Sequence, residues 1–508
     1  MVTLDGESLT LEEVISVSRG YEDVSLAASA ATKMEASRRL VEEIGKEGRV
    51  AYGITTGIGE LANVSIPPDD LRQLQRNITR SHAAGTGDPL PEDVLRAMMI
   101  LRANGLAKGY SGVRPVVVEV LCQMLKQGVH PVVPRKGSVG ASGDLAPLAH
   151  MTLVMIGEGE ATYHGQRLAG TEALAEAGIE PLELQPKEGL ALINGTSLMA
   201  AYGCLAVHDG LALLKDALIA GSLSFEALKG SPVPFDPRIQ ALRAHPGQAT
   251  TARDLLQSLE DSEIIPSHLG PHKVQDPYTL RCMPQVFGAV LDVLRQAERV
   301  FGVEANSATD NPLLFPEEGE FLSGGNFHGQ PLAFMMDFLA IALCALGAFA
   351  ERRVARLVDS NVSGLPPFLT QKSGLHSGLM LMQYTAAALA SENKVFAHPA
   401  SVDTIPTSAN QEDFVPMGPA AGEKLFHIIR NVRTLLGIEY FTAAQGLEFE
   451  KSLDPGRGPV TAYRLLRRHV PPLEEDRPLS PDLEAIISLL AEGKIVEVVE
   501  AEIGPLLT

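Results

Sequence analysis

Apolar residues recur along most of this chain at three- and four-residue intervals, the spacing that lines one face of an α-helix. Long stretches of this kind run through 197–229, 279–302, 330–357, 376–396 and 420–446. Thr10 followed by Glu13 reads as a capping box that opens a helix. Pro91, Glu92 and Asp93 open another, with Val94, Met98 and Leu101 on one face and Gly105 as its stop. Residues 115–127 repeat the pattern and end at Gly128. Near the C-terminus, Ser480 reads as a cap, with Pro481 and Asp482 in a helix-friendly first turn. Strand signals are few. The best is 161–168, where His164 and Gly165 turn a short hairpin. No internal repeat, low-complexity tract or obvious linker interrupts the pattern, which predicts a mainly α protein.

One stretch imitates a membrane span. Residues 331–350 are nearly all apolar and long enough to cross a bilayer. Asp337 lies inside it and no second span is evident, so the reading preferred is a helix buried at the centre of a large soluble bundle. Tryptophan is absent and aromatic residues make up 5% of the chain, so the core must rest on Leu, Val, Ile, Ala and Met. The net charge of −20 argues against nucleic acid as a partner, because phosphate binding needs a cationic footprint. Cys122, Cys204, Cys282 and Cys344 form no C-x-x-C pair and sit in or beside apolar stretches. They read as buried thiols rather than a disulfide framework or a zinc site, and no metal cluster is evident. The N-terminal residues show neither a basic region nor an apolar run, which points to the cytoplasm.

The informative pieces lie between the helices, in loops rich in Gly, Ser, Asn and Pro. They fall at 51–60, 80–87, 135–150, 192–197, 273–282, 307–315, 323–331 and 407–418. Polar side chains on loops held by a rigid helical scaffold are where sites tend to be. Residues 137–150, GSVGASGDLAPLAH, decide the reading. A glycine-rich loop can cradle phosphate, but this one lacks the Gly-Lys-Ser/Thr ending of a P-loop and follows no clear strand. It also lacks the catalytic loop of fumarase- and aspartase-type lyases. Ala141-Ser142-Gly143 has another physical use. Gly143 has no side chain, so its amide nitrogen can approach the carbonyl carbon of Ala141. A tight turn would hold the two near contact. Attack closes a five-membered ring and expels water; loss of the Ser142 hydroxyl as a second water leaves an exocyclic methylene, an electrophile that no ordinary side chain supplies.

This segment resembles the prosthetic-group loop of the histidine and aromatic amino-acid ammonia-lyase family. The other loops match family segments in the same order, and 281–286 (RCMPQV) and 363–369 (SGLPPFL) match as well. The resemblance implies a long central helical bundle with a smaller N-terminal part carrying the loop, divided here as 1–200 and 201–508. It implies a self-made methylidene-imidazolone (MIO) at Ala141, Ser142 and Gly143, no diffusible cofactor, and a homotetramer with sites shared between subunits. The reaction implied is loss of ammonia from an α-amino acid.

By the same resemblance, Tyr52 and Tyr278 match catalytic tyrosines, with Tyr52 preferred as the base that takes the β-proton. A phenol serves as a base only when ionised, which asks for nearby positive charge or donor hydrogen bonds. Arg281 matches the grip on the substrate carboxylate, whose planar anion suits a guanidinium. Asn194 and Gln275 match polar residues around the electrophile and the carboxylate, and Phe327 an aromatic beside it. His82 and Glu412 match positions near the substrate ring. A carboxylate is a sensible partner for an imidazole N–H, whereas a phenyl ring would leave it unpaired in a dry pocket. The substrate implied is therefore L-histidine and the product trans-urocanate. Ser197, Met283, Gly329, Gln330, Phe414 and Pro416 depart from the histidine-lyase pattern. A tyrosine or phenylalanine lyase, a 2,3-aminomutase, or a silent scaffold that binds an amino acid are the alternatives; the last need not be two waters lighter than its sequence.

Overall fold

The structure is a computed structural model that describes residues 1–268 and 274–508. Lys273, first residue of the 273–282 loop, lies outside the described residues. The fold is mainly α, as the pattern predicts, and its strands are two to four residues long. The long apolar stretches appear as the helices Ser197–Ala227, Met283–Glu304, Gln330–Val358, Met380–Phe396 and Gly418–Leu447. The chain forms two compact units, each assembled from three segments.

The first unit comprises Met1–His208, Ala297–Asp337 and Pro399–Glu423. Its first helix, Leu11–Ser18, carries the full capping box between Thr10 and Glu13. This helix and Pro115–Gln127 both pack on Glu92–Ala107. Arg96 ties the three together from inside, donating to Val17 O (2.8 and 3.1 Å) and Leu125 O (3.0 Å). Gly128 ends its helix in the left-handed conformation, φ +74°. Gly105 does not stop Glu92–Ala107, which continues because Leu106 and Ala107 are fully buried and their packing outweighs the glycine penalty of about 1 kcal/mol. The hairpin at Glu160–Tyr163 and Gln166–Ala169 turns through His164 (φ +47°) and Gly165 (φ +75°), with His130–Pro131 added on its other edge. Leu40, Val41, Ile44, Ala51, Ile54 and Leu314 form a local core that roots the loop carrying Tyr52.

The second unit comprises Asp209–Gln296, Phe338–His398 and Lys424–Thr508. Its long helices meet around a buried ion pair. Arg353 donates to both oxygens of Glu439, with neither side chain exposed, and Ser224 Oγ adds a third bond at 2.7 Å. The guanidinium also lies 5.4 Å from the Phe287 ring and 5.2 Å from that of Phe349. Helices Pro246–Ser258, Arg457–His469, Ser480–Ala491 and Lys494–Ile503 complete this unit. In the helix Ser480–Ala491 the cap is Leu479 and makes no side-chain bond; Ser480 stands in the first turn beside Pro481.

Among the described residues, two helices, Ser197–Ala227 and Gln330–Val358, are apolar and long enough to cross a membrane, one more than the sequence pattern suggested. The apolar windows are 83% and 61% buried within the protein. Their buried polar groups find protein partners: Asp337 accepts from Ser401 N (2.8 Å) and Asp216 O from Tyr440 Oη (3.0 Å). That is the behaviour of core helices.

Candidate functional site

A strand that the sequence did not reveal, the three-residue Pro134–Lys136, too short to show an alternation, leads into the loop 137–144, which ends where the helix Leu145–Met155 begins. Gly140 and Gly143 form an antiparallel bridge across it, and Gly143 forms a parallel bridge with Gly195. Gly143 is left-handed (φ +71°), and an added Cβ would lie 2.1 Å from Gly195 O and 2.2 Å from its carbonyl carbon. Only glycine fits. Ala141 and Gly143 are buried, while Ser142 is half-buried. Asp144 locks the C-terminal side of the loop. Its N–H donates to Gly195 O (2.7 Å), and its Oδ2 accepts from Leu198 N (2.8 Å) and Met199 N (3.0 Å), the first amides of the helix Ser197–Ala227. An acidic group there satisfies orphan amides and meets the positive end of the helix dipole. Burial nonetheless pushes this carboxyl up to about 7, with the Met199 and Leu198 amides pulling it back.

Ser142 opens onto a cavity of about 370 Å³. Tyr52, His82, Asn194, Phe327 and Glu412 line the same cavity, so six of the residues singled out by the sequence converge there although 360 positions separate the first from the last. Ser142 Oγ donates to Glu412 Oε1 at 2.7 Å. Thr407 Oγ1 donates to Glu412 Oε2. Asn194 is held by its amide hydrogens, which reach Asp310 Oδ1 and Asn311 O at 3.3 Å each, so its carbonyl oxygen is what it offers the cavity. Asp310 in turn pairs with the fully buried Lys187.

His82 Nδ1 lies 2.8 Å from Ile78 O, which assigns the proton to Nδ1 and leaves Nε2 as an acceptor. Burial lowers the pKa of His82, opposed by Ile78 O and by the charge of Glu412, so the ring is neutral at pH 7. Tyr52 Oη accepts from Gly59 N at 3.0 Å. Burial raises its pKa, the Gly59 amide works the other way, and Glu412 and Asp310 add to the rise. Among the described residues, none of the groups acting on this phenol is the cationic neighbour that a tyrosine base requires.

Gln275, Tyr278 and Arg281 belong to the second unit and do not line this cavity. Gln275 and Arg281 line another, of about 450 Å³, with Asp276 and Gln285. Arg281 stands 4.8 Å over the ring of Tyr278, which is 69% exposed. Arg281 Nε and Gln285 Oε1 are buried and make no hydrogen bond among the described residues. The site also includes residues that sequence reading did not single out: Ile58, Gly59, Leu61, Leu145, Leu190, Asn311 and Ser408 on its wall, with Thr407 behind Glu412. Most of them come from the polar interruptions at 51–60, 135–150, 307–315 and 407–418, while Leu61 and Leu190 lie outside these, and nothing in the sequence aligns the segments. Of the departures from the histidine-lyase pattern, none lines the cavity. Gly329 N donates to Gly140 O at 3.1 Å and Pro416 packs beside Gly140, so these two shape the back of the loop.

Residues 9–468 match the family model described as aromatic amino acid lyase. The chain is 53% identical over 501 residues to the histidine ammonia-lyase of Caldanaerobacter subterraneus subsp. tengcongensis, covering 99% of this chain and 98% of that one. The solved structure of a tyrosine aminomutase from Streptomyces globisporus superposes with a TM-score of 0.95 at 38% identity, covering 100% of both chains. That of the histidine ammonia-lyase from Trypanosoma cruzi gives 0.92 at 37% identity, covering 99% of this chain and 95% of that one.

Proposed function

The chain belongs to the aromatic amino acid lyase family and is a carbon–nitrogen lyase, and we propose that it removes ammonia from L-histidine to give trans-urocanate. The prosthetic group proposed is MIO, built from Ala141, Ser142 and Gly143, which supplies an electrophilic carbon for the substrate amine. The residues present fit it. Gly143 is hemmed in by Gly195, and Asp144 is anchored to helix amides, so the three-residue loop is clamped at one end as ring closure requires.

The observation that carries the substrate assignment is the meeting of His82 and Glu412 with Ser142 in one cavity. A neutral His82 presents an acceptor at Nε2, and Glu412 presents carboxylate oxygen. An imidazole ring brings one N–H to such acceptors when neutral and two when protonated. A phenyl ring brings none and would leave buried polar atoms unpaired, at about 1–3 kcal/mol each. Asn194 orients the polar end of the substrate through its carbonyl oxygen, and Phe327 adds an aromatic wall to the same cavity.

Removal of the β-proton falls to Tyr52 first and Tyr278 second. Arg281 and Gln275 bind the substrate carboxylate, supplied to the cavity by another copy of the chain in a homotetramer. The guanidinium then also brings the positive charge that draws the Tyr52 proton off. Ile341 on Gln330–Val358, and Leu381, Tyr384 and Val395 on Met380–Phe396, are large and exposed in the single chain, which supports burial against further copies. The compartment proposed is the cytoplasm.

The test is a parallel assay of L-histidine, L-tyrosine and L-phenylalanine, each followed by the ultraviolet absorbance of its unsaturated acid. The proposal expects histidine to be turned over at least 100-fold more efficiently than the other two. Turnover of an aromatic substrate alone would sink the assignment of His82 and Glu412. The likeness to a tyrosine aminomutase favours a second reading, in which the same residues return the amine to the β-carbon; it predicts a β-amino acid without free ammonia.

A further inference from the structure

Glu412 is bonded to the one side-chain atom that the maturing loop must lose. Its Oε1 accepts from Ser142 Oγ at 2.7 Å. Its Oε2 is held by Thr407 Oγ1. The backbones of Thr407 and Glu412 are themselves paired, N to O at 3.0 and 3.3 Å, across a tight antiparallel bridge. Between them Ser408, Ala409 and Asn410 all have positive φ, at 50°, 52° and 68°. Non-glycine residues rarely adopt that region, so the segment holds its shape only because its surroundings fix it. The carboxylate is therefore aimed at Ser142 Oγ by a strained, doubly bonded loop. A group whose single task was to bind substrate would gain nothing from that contact, because the contact disappears once Oγ has gone.

We propose that Glu412 is the acid–base catalyst of the dehydration of Ser142 that completes the electrophile, a task it performs once, before its Oε1 is released to meet substrate. This rests on the MIO reading given above. Ring closure forms the bond between Gly143 N and the Ala141 carbonyl carbon, and the first water carries away that carbonyl oxygen with the N–H protons of Gly143 and Ser142. The second water consists of the Ser142 hydroxyl and the proton from Ser142 Cα. The Glu412 carboxylate takes the Cα proton as the Cα–H pair becomes the Cα=Cβ bond, and it hands that proton to Oγ as the Cβ–Oγ bond breaks, which leaves Glu412 the carboxylate it began as. No oxidant, metal or co-reactant takes part.

The experiment follows intact mass with time after cell-free synthesis, for the wild type, Glu412→Gln, Glu412→Asp and Glu412→Ala, with far-ultraviolet circular dichroism to confirm helical folding. The wild type ends two waters lighter than its sequence. Glu412→Gln keeps the contact but cannot carry the proton, so it stalls one water light, with the second loss slowed by about 100-fold or more. Glu412→Asp is intermediate. Formate, a small diffusible acid, restores the second loss in Glu412→Ala, which a merely structural role would not allow. Loss of both waters from Glu412→Gln at the wild-type rate overturns the proposal. So does failure of Glu412→Ala to respond to formate together with equal arrest of Glu412→Asp and Glu412→Gln, whether or not the variants fold well. A wild-type chain at its full sequence mass would instead overturn the MIO reading itself.

Discussion

Replacing Gly143 by alanine adds a single carbon where the structure has no room for it. The new Cβ would lie 2.1 Å from Gly195 O, 2.2 Å from its carbonyl carbon and 2.6 Å from its Cα, whereas real Cβ atoms keep at least 3.0 Å. These are backbone atoms of the segment that also receives the Asp144 amide, so the clash cannot be relieved by turning a side chain. The left-handed φ of +71° adds about 1–2 kcal/mol, and overpacking typically adds about 1–3 kcal/mol. Domains are stable by about 5–15 kcal/mol, so Gly143→Ala is expected to fold as a helical protein with a lowered Tm. Its chemistry fares worse. Relief of the clash moves the Gly143 nitrogen by about 1 Å, and a displacement of that size at a reacting centre costs on the order of 100-fold. The variant should keep its full sequence mass for hours after the wild type has lost two waters, and its turnover of L-histidine should fall in proportion to the unprocessed fraction. Intact mass spectrometry and the urocanate absorbance measure the two together. A Gly143→Ala protein that is two waters lighter and within tenfold of wild-type activity would refute the clamped-loop argument.

Other outcomes follow from the same structure. Tyr52→Phe should lower kcat by about 100- to 10,000-fold while intact mass still shows two waters lost, the range expected for a missing general base. Because Tyr52 takes the β-proton only as phenolate, wild-type kcat/KM should climb with rising pH as the phenol ionises, and a full-activity plateau already reached at pH 6 would contradict this. His82 has a lowered pKa, so the unfolded chain takes up a proton below about 6.5 while the folded chain does not. The stability this contributes is present above that pH and is lost as pH falls toward the folded value; the wild-type Tm should therefore drop more from pH 8 to pH 5 than that of His82→Gln. Glu439→Ala leaves Arg353 buried without its partner and should cost about 3–5 kcal/mol by chemical denaturation, while the paired change Arg353→Met with Glu439→Leu should cost far less.

Much of the fold is written locally. The capping box at Thr10 and Glu13, the end of a helix at Gly128 and the hairpin at His164 and Gly165 each depend on a few adjacent residues, and each is present. Gly105 and Ser480 show where local signals yield. The first is carried through by the burial of Leu106 and Ala107, and the second is displaced by one position. Strands of two to four residues leave too short an alternation to detect, which is why most of them are invisible in the sequence. At the site, the side chains in polar loops were legible because polar groups flanked by apolar helices need a reason to be there. Their supports were not. Asp144 bonds to amides 54 and 55 positions away, Lys187 pairs with Asp310 across 123 positions, and the bond between Ser142 and Glu412 spans 270. Such contacts exist only once the chain has folded. Gln275, Tyr278 and Arg281 illustrate the converse: the sequence singles them out, yet they are not among the residues lining the cavity that holds Ser142.

The measurement that bears most directly on the central claim is the stoichiometry of the reaction with L-histidine. Purified protein would be mixed with the amino acid, urocanate followed by its absorbance, and ammonia determined in the same samples. Elimination across the α- and β-carbons, carried out in the cavity shared by Tyr52, His82, Ser142 and Glu412, predicts urocanate and ammonia in equal amounts. Consumption of histidine with no ammonia released, or no turnover at all by protein two waters lighter than its sequence, would contradict it.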